Sequence, residues 1–264
     1  MRRILGICVA LCLGFVGACA EVNVLIPSHS GPIKTPPIIE KPPISLDTLK
    51  QMQAKKQGQM PGQRGLATPC DRNGSKTLDV NHQRQQTPAW CWAATSRMVM
   101  EYQNRLTRSS TDTQCAIVKN VLGRKSGRAN CCEVQVSDDW INAPANCERG
   151  EWPHVVFERY GFNYEVVERQ ALDWESLTNE ICGNGPFIYV VDLQGGGRHA
   201  FVAKGYYTDP ELKQQFVEIY DPNQGDFQDQ VYDEYAGNAP NKSYGTTPHY
   251  RDYVQISPKA EDQP

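Results

Sequence analysis

The chain has 264 residues, 39% hydrophobic, 22% charged and 9% aromatic, with a formal charge of −3. This excludes a wholly disordered chain, a collagen and a multi-span membrane protein. No basic excess marks a nucleic-acid partner, and ten cysteines are ordinary for an exported chain but many for a reducing compartment.

Residues 1–20 read as a signal peptide. Arg2 and Arg3 precede an apolar run from Ile4 to Val16, and small residues follow at Gly17, Ala18 and Ala20. The run is short for a transmembrane helix. Two processing outcomes fit. Ala18-Cys19-Ala20 suits cleavage before Glu21, whereas Val16-Gly17-Ala18-Cys19 is similar to a bacterial lipobox, with Cys19 acylated and anchored to a membrane. The expected location is therefore the cell envelope, as an outer-membrane or periplasmic lipoprotein, or the secreted fraction. Loss of the signal leaves 25 basic and 30 acidic residues, a charge near −5.

Residues 21–75 are rich in Pro and Gln and read as a tether or propeptide. Pro27, Pro32, Pro36, Pro37, Pro42 and Pro43 favour extended polyproline II. A short helix over 45–56 is expected from Leu46, Leu49 and Met52. The globular domain is placed at 76–258, with a polar tail over 259–264. Helices are predicted over 91–106, where Ala94, Met98, Tyr102 and Leu106 share a face, and over 114–122, 154–160 and 173–181. The period then changes, and strands are predicted over 186–191, 200–207, 215–220 and 250–256. Helices first and strands later argue an α+β fold, with an N-terminal helical half packed on a C-terminal antiparallel sheet half.

Cys91, in Gln85-Gln86-Thr87-Pro88-Ala89-Trp90-Cys91-Trp92-Ala93-Ala94, stands at the start of a predicted helix. The helix dipole and free N–H groups there favour negative charge on sulfur and, after attack on a carbonyl, on oxygen. Gln85, six residues upstream, could add a side-chain donor, with Gln86 the alternative if the turn slips by one. A thiolate nucleophile needs a base, and His154, His199 and His249 are candidates. His199 follows Gly195-Gly196-Gly197-Arg198 and opens a strand; glycines there let a backbone pass close to a substrate or a facing helix. Asp221 or Asn223, in Tyr220-Asp221-Pro222-Asn223, could accept the second imidazole N–H.

Taken together, Gln85, Cys91-Trp92-Ala93-Ala94, Cys131-Cys132, Gly196-Gly197-Arg198-His199-Ala200, Gly205-Tyr206 and Asp221-Pro222 resemble the papain-like cysteine peptidases. The match is to a bacterial branch similar to plant-pathogen avirulence proteases and bacteriocin-leader peptidases, and it covers roughly residues 80–256. The resemblance implies a papain-like fold, Cys91 as nucleophile, His199 as base, Asp221 as its orienter, a Gln85 oxyanion donor and a peptide or protein substrate. The chain departs from papain in having Pro88 where papain has a cysteine, Asp where papain has Asn, and a Cys-to-His gap of 108 residues. The same acyl-enzyme could be captured by an amine, as in a transpeptidase or transamidase. A silent papain-fold surface binding protein is the non-enzymatic alternative.

No zincin helix, Walker loop, serine-hydrolase elbow or paired Cys-x-x-Cys occurs, so no metal and no cofactor are expected. With Cys8, Cys12 and Cys19 assigned to export and Cys91 to chemistry, six cysteines are left to pair: Cys70, Cys115, Cys131, Cys132, Cys147 and Cys182. The expected pairing joins Cys115 and Cys147 to the Cys131-Cys132 doublet, and Cys70 to Cys182. Asn241-Lys242-Ser243 is a formal glycosylation sequon. Tyr232, Tyr235, Tyr244, Tyr250 and Tyr253 could line a substrate cleft, but are expected mainly in the core and on the sheet.

Overall fold

The aromatic and β-branched residues between Phe187 and Pro258 are spaced for pleated structure, and they build the centre of one antiparallel sheet. The computed structural model describes residues 41–58, 71–103, 113–123, 130–133, 135–136 and 141–260. The signal peptide with Cys19, the prolines up to Pro37, Cys70, Leu106 and the last four residues lie outside them.

In chain order the elements are α1 (Leu46–Gly58), β1 (Ser75–Thr77), α2 (Cys91–Tyr102), α3 (Gln114–Leu122), β2 (Gln135–Val136), β3 (Ile141–Asn142), α4 (Pro153–Arg159), β4 (Phe162–Glu168), α5 (Trp174–Gly183), β5 (Phe187–Asp192), β6 (Arg198–Asp209), β7 (Gln214–Asp221), β8 (Asp226–Val231), α6 (Tyr232–Tyr235) and β9 (His249–Pro258). The main sheet runs β4-β9-β5-β6-β7-β8, with β1 added to β6 beyond the end of β5, and every pairing is antiparallel.

The helices begin where the sequence supplies a start signal. Thr113 Oγ1 accepts from the Ala116 N–H to cap α3, Asp173 Oδ1 accepts from the Ser176 N–H to cap α5, and Pro153 stands at the start of α4. Neighbouring strands fix which residues share a sheet face. Ile188, Val202, Tyr220 and Tyr253 lie on one face, where α4 packs Phe157 and His154 against Tyr253. Tyr189, Phe201, Tyr206 and Asp252 lie on the other, where Trp174 of α5 meets Tyr206 edge-on at 5.6 Å between ring centres. Helix α2 contacts α3 and α4 and lies against β5 and β6.

The fold is the expected α+β, a helical half followed by an antiparallel sheet half, with helices on both sheet faces. Helix α2 stops at Tyr102, short of the predicted end at 106; the Gln103 N–H bonds back to the Val99 carbonyl, and its side chain donates to the Asn184 carbonyl at 2.9 Å. Five strands, the short β1, β2 and β3 together with β4 and β8, were not predicted. In β4, Phe162, Tyr164 and Val166 alternate inward, a period-2 pattern that directly follows a helix and Gly161. The sequence of β8, Asp-Phe-Gln-Asp-Gln-Val, is a polar sheet edge, which hides the alternation and discourages further pairing.

Within the segment read as tether or propeptide, residues 41–58 are docked on the domain. Leu49 is fully buried, and the buried Gln53 amide donates to Glu180 Oε2 at 3.2 Å and to the Ser176 carbonyl at 3.1 Å. The Ile44 N–H donates to the Val166 carbonyl, and Lys50 pairs with Asp173. Glu180 is itself held by the backbone and side-chain N–H groups of Gln255 and by Asn184; its burial pushes its carboxyl upward against these bonds.

Candidate active site

Three separate elements end at one place. Cys91 opens α2, His199 is the second residue of β6, and Asp221 is the last residue of β7. The register explains the convergence. Strand β7 pairs with β6 only from Val202 onward, so the first residues of β6 have β5 on one side and no β7 partner on the other. His199 and Asp221 share a face of the sheet at this overhang. The His199 Nε2–H donates to Asp221 Oδ1 at 2.7 Å. The other ring nitrogen is left for Cys91, whose side chain interacts with the imidazole and helps to raise it.

Both members of this His–Asp pair are buried; His199 is 5% exposed and Asp221 fully enclosed. Burial works against a charged imidazole, but the hydrogen bonds and charges of Asp221 and Cys91 outweigh it and raise His199 to about 9. Burial likewise opposes charge on Asp221. Donation from His199, the positive imidazole, the Tyr244 hydroxyl and the Asn223 N–H outweigh it and hold the carboxyl below its ordinary range. Phe201 meets the His199 ring edge-on at 4.6 Å, which fixes its plane.

Cys91 is half-buried and is the free cysteine among the described residues. No side chain caps α2, so the first N–H groups of the helix remain available beside the sulfur. The preceding turn is clamped from three directions. The Gln85 N–H donates to the Pro222 carbonyl at 2.8 Å, next to Asp221. Gln114 of α3 receives the Gln86 N–H at 2.9 Å and donates to the Arg84 carbonyl at 2.8 Å. On the third side, Glu148 Oε1 accepts from the Ala89 N–H at 2.8 Å, while Trp90 and Trp92 donate their indole N–H groups to the carbonyls of Cys147 and Arg149.

The Gln85 side chain is buried in this turn. Its amide donates to the Thr87 carbonyl at 2.9 Å and the Pro88 carbonyl at 3.0 Å, two buried acceptors that this turn must satisfy. Both donors are thus engaged locally, and service to an oxyanion requires release of one. Asn223 does not meet the imidazole: its backbone N–H donates to Asp221 Oδ1 and its side chain to the Tyr244 hydroxyl. His154 hydrogen-bonds with Tyr253, and His249 is held between Asp252 and the Tyr235 carbonyl, so both lie in core clusters.

The glycines before His199 serve a different purpose from the one expected. Gly195, Gly196 and Gly197 have φ of 92°, 98° and 92°, and nothing crowds the position of an added Cβ. Conformation, not close approach, requires glycine there. Arg198 anchors the hairpin by stacking on Tyr250 at 3.8 Å and pairing with Asp192 at 2.8 Å. The disulfides Cys115–Cys132 and Cys131–Cys147 tie α3 to the loop that receives Trp90. Cys182 is also disulfide-bonded, and its expected partner, Cys70, lies outside the described residues.

Sequence reasoning did not single out Gln114 or Glu148, and it named Tyr244 only as one of five tyrosines. These three reach the site across 28, 59 and 23 residues respectively, and no local pattern announces such contacts.

A cysteine at a helix start facing a buried His–Asp pair on an antiparallel sheet defines a papain-like cysteine peptidase arrangement. The chain belongs to the Peptidase_C39 like family, whose pattern matches residues 77–251. No curated protein matches it significantly. Among solved structures it is similar to a double glycine motif protease from an AMS/PCAT transporter, in complex with the leader peptide. That likeness has 18% identity and a TM-score of 0.35, covering 69% of this chain and 94% of that one. It is also similar to UfSP from C. elegans, at 10% identity and a TM-score of 0.40, covering 71% of this chain and 35% of that one.

Proposed function

We propose that the protein is an exported cysteine peptidase that hydrolyses peptide bonds through a Cys91 acyl-enzyme. The observation that carries this reading is the buried His199–Asp221 pair set against a free thiol at a helix start. Cys91 Sγ attacks the carbonyl carbon of the substrate. The Cys91 N–H holds the oxyanion, joined by a Gln85 N–H released from Pro88. The His199 imidazolium gives its proton to the leaving amine, and a thioester remains. Neutral His199 then takes a proton from water; the hydroxide attacks the thioester, and the acid product leaves as the thiolate and the imidazolium are regenerated.

Export is supported by the charged-then-apolar signal over 1–20 and by the disulfides. Cys19 is proposed as the acylated residue, which would place the peptidase at the cell envelope. Residues 21–40 are then the spacer, followed by the docked helix α1.

The test is incubation with a peptide library, with and without added amine, and mass analysis of the products. Water-derived carboxylates at both amine levels are expected. Amine adducts as the main product would make it a transferase, and intact peptides would make it a binding protein.

The pH dependence has a definite sign. A raised histidine keeps its proton, and the stability of its ion pair, at pH below its unfolded value near 6.5; both are lost as pH rises through about 9. The alkaline limb of kcat/KM is therefore expected near pH 9, and Asp221→Ala should move it down. A limb near 6.5 in the unaltered enzyme would contradict the pairing.

A further inference from the structure

We propose that Tyr244 is a positioning residue for the His199–Asp221 pair, acting through the second carboxylate oxygen; this rests on the peptidase reading above. Asp221 Oδ1 already accepts from His199 and from the Asn223 N–H. Oδ2 accepts from the Tyr244 hydroxyl at 2.7 Å. With Asp221 fully enclosed, that hydroxyl is what satisfies Oδ2 and fixes the carboxylate plane. A carboxylate free to turn about its Cβ–Cγ bond would carry Oδ1, and with it the imidazole, away from Cys91.

The hydroxyl is itself aimed. Asn223 donates its side-chain N–H to the Tyr244 oxygen at 3.1 Å, leaving the phenolic hydrogen to point at Asp221. The Tyr244 ring centre lies 5.2 Å from that of His199 and 5.8 Å from that of Phe201, so the phenol packs against the imidazole it helps to position. Burial and the Asp221 charge both raise the phenol above its ordinary value, so it remains a donor across the working range of the enzyme.

The loop that presents it is built for the purpose. The buried Asn241 side chain accepts from the Ser243 and Tyr244 N–H groups at 2.8 and 3.0 Å. Asn241 and Gly245 exchange both backbone hydrogen bonds, and Gly245 adopts φ of 72°, which a larger residue resists. The Asn241-Lys242-Ser243 sequon thus belongs to a tight turn whose asparagine is 5% exposed and engaged. It serves geometry rather than glycosylation.

The test is a double-mutant cycle on kcat and KM with a peptide substrate. Tyr244→Phe keeps the ring and deletes one hydroxyl. It is expected to lower kcat about 10- to 100-fold, the effect of losing one hydrogen bond to a charged group, with KM within about twofold. In an Asp221→Ala background the same change should cost less than about threefold, because nothing is left to position. An equal loss in both backgrounds, or an unchanged kcat, overturns the proposal. If Tyr244→Phe does not fold, Asn241→Ala takes its place in the cycle under the same criteria. Cys91→Ala, run alongside, separates the two claims. A dead Cys91→Ala with an undiminished Tyr244→Phe rejects only the role of Tyr244, whereas an active Cys91→Ala rejects the peptidase reading beneath it.

Discussion

Cys91→Ala is expected to lower kcat/KM by about 10,000-fold or more while leaving the melting temperature nearly unchanged. The size follows from the role. Deleting a covalent nucleophile removes the acyl-enzyme route altogether, and what survives is binding and oxyanion stabilisation. The stability follows from the site. Cys91 is half-buried at the first position of α2, where no side-chain cap depends on it and Ala favours the helix. The change removes one sulfur and its interaction with His199, so a shift of more than a few degrees is not expected. Steady-state kinetics and a thermal melt on the same preparation check both halves. Retained activity would remove the thiol from the chemistry. Inactivity with early melting would make Cys91 structural.

The second large effect concerns the Cys131–Cys147 bridge. Both cysteines are fully buried, and the bridge closes a loop with a sequence separation of 16. Such a cross-link is worth about 3 kcal/mol in chain entropy. Its position makes it more than a staple. Residues 147–149, at its end, receive the Trp90 indole, the Ala89 N–H and the Trp92 indole, which together hold the turn before the nucleophile. Replacing both cysteines by Ala should lower the melting temperature by roughly 5–15 °C. At a temperature where the variant is still folded, kcat should also fall, because misplacing a nucleophile by an ångström is costly. A melt within 2 °C of the original, or full activity in the folded variant, would separate the bridge from the site. Substitution is preferable to reduction here, since a reductant acts on the other disulfides as well.

The three groups that meet at the candidate site were legible because each stands where a local rule speaks. Pro88 and the apolar repeat announce a helix starting at Cys91, three glycines announce the strand that His199 opens, and Asp-Pro announces the strand end at Asp221. The choice between Asp221 and Asn223 was not local. It is decided by the β6–β7 register, which puts the Asp221 side chain on the His199 face. Tyr244 was legible only as an aromatic, since its hydroxyl matters through a turn set by Asn241 and Gly245. The docking of α1 was hidden for a related reason. Its Leu46-Leu49-Met52 repeat is short, and its firmest anchor is a buried Gln53 whose partner, Glu180, lies 127 residues away. The Gln85 side chain illustrates the converse: spacing singled it out, but which way its amide points depends on the carbonyls of Thr87 and Pro88.

The pairing of Cys91 with a proton-bearing His199 is tested most directly by the rate of alkylation of the folded protein as a function of pH, with the adduct mapped by peptide mass spectrometry. One adduct, on Cys91, is expected. Its rate at pH 6 should fall by at least tenfold in His199→Ala, because the base that takes the thiol proton is then missing. A rate at pH 6 that does not depend on His199, or no adduct on the folded protein, would contradict the assignment of Cys91 as the nucleophile.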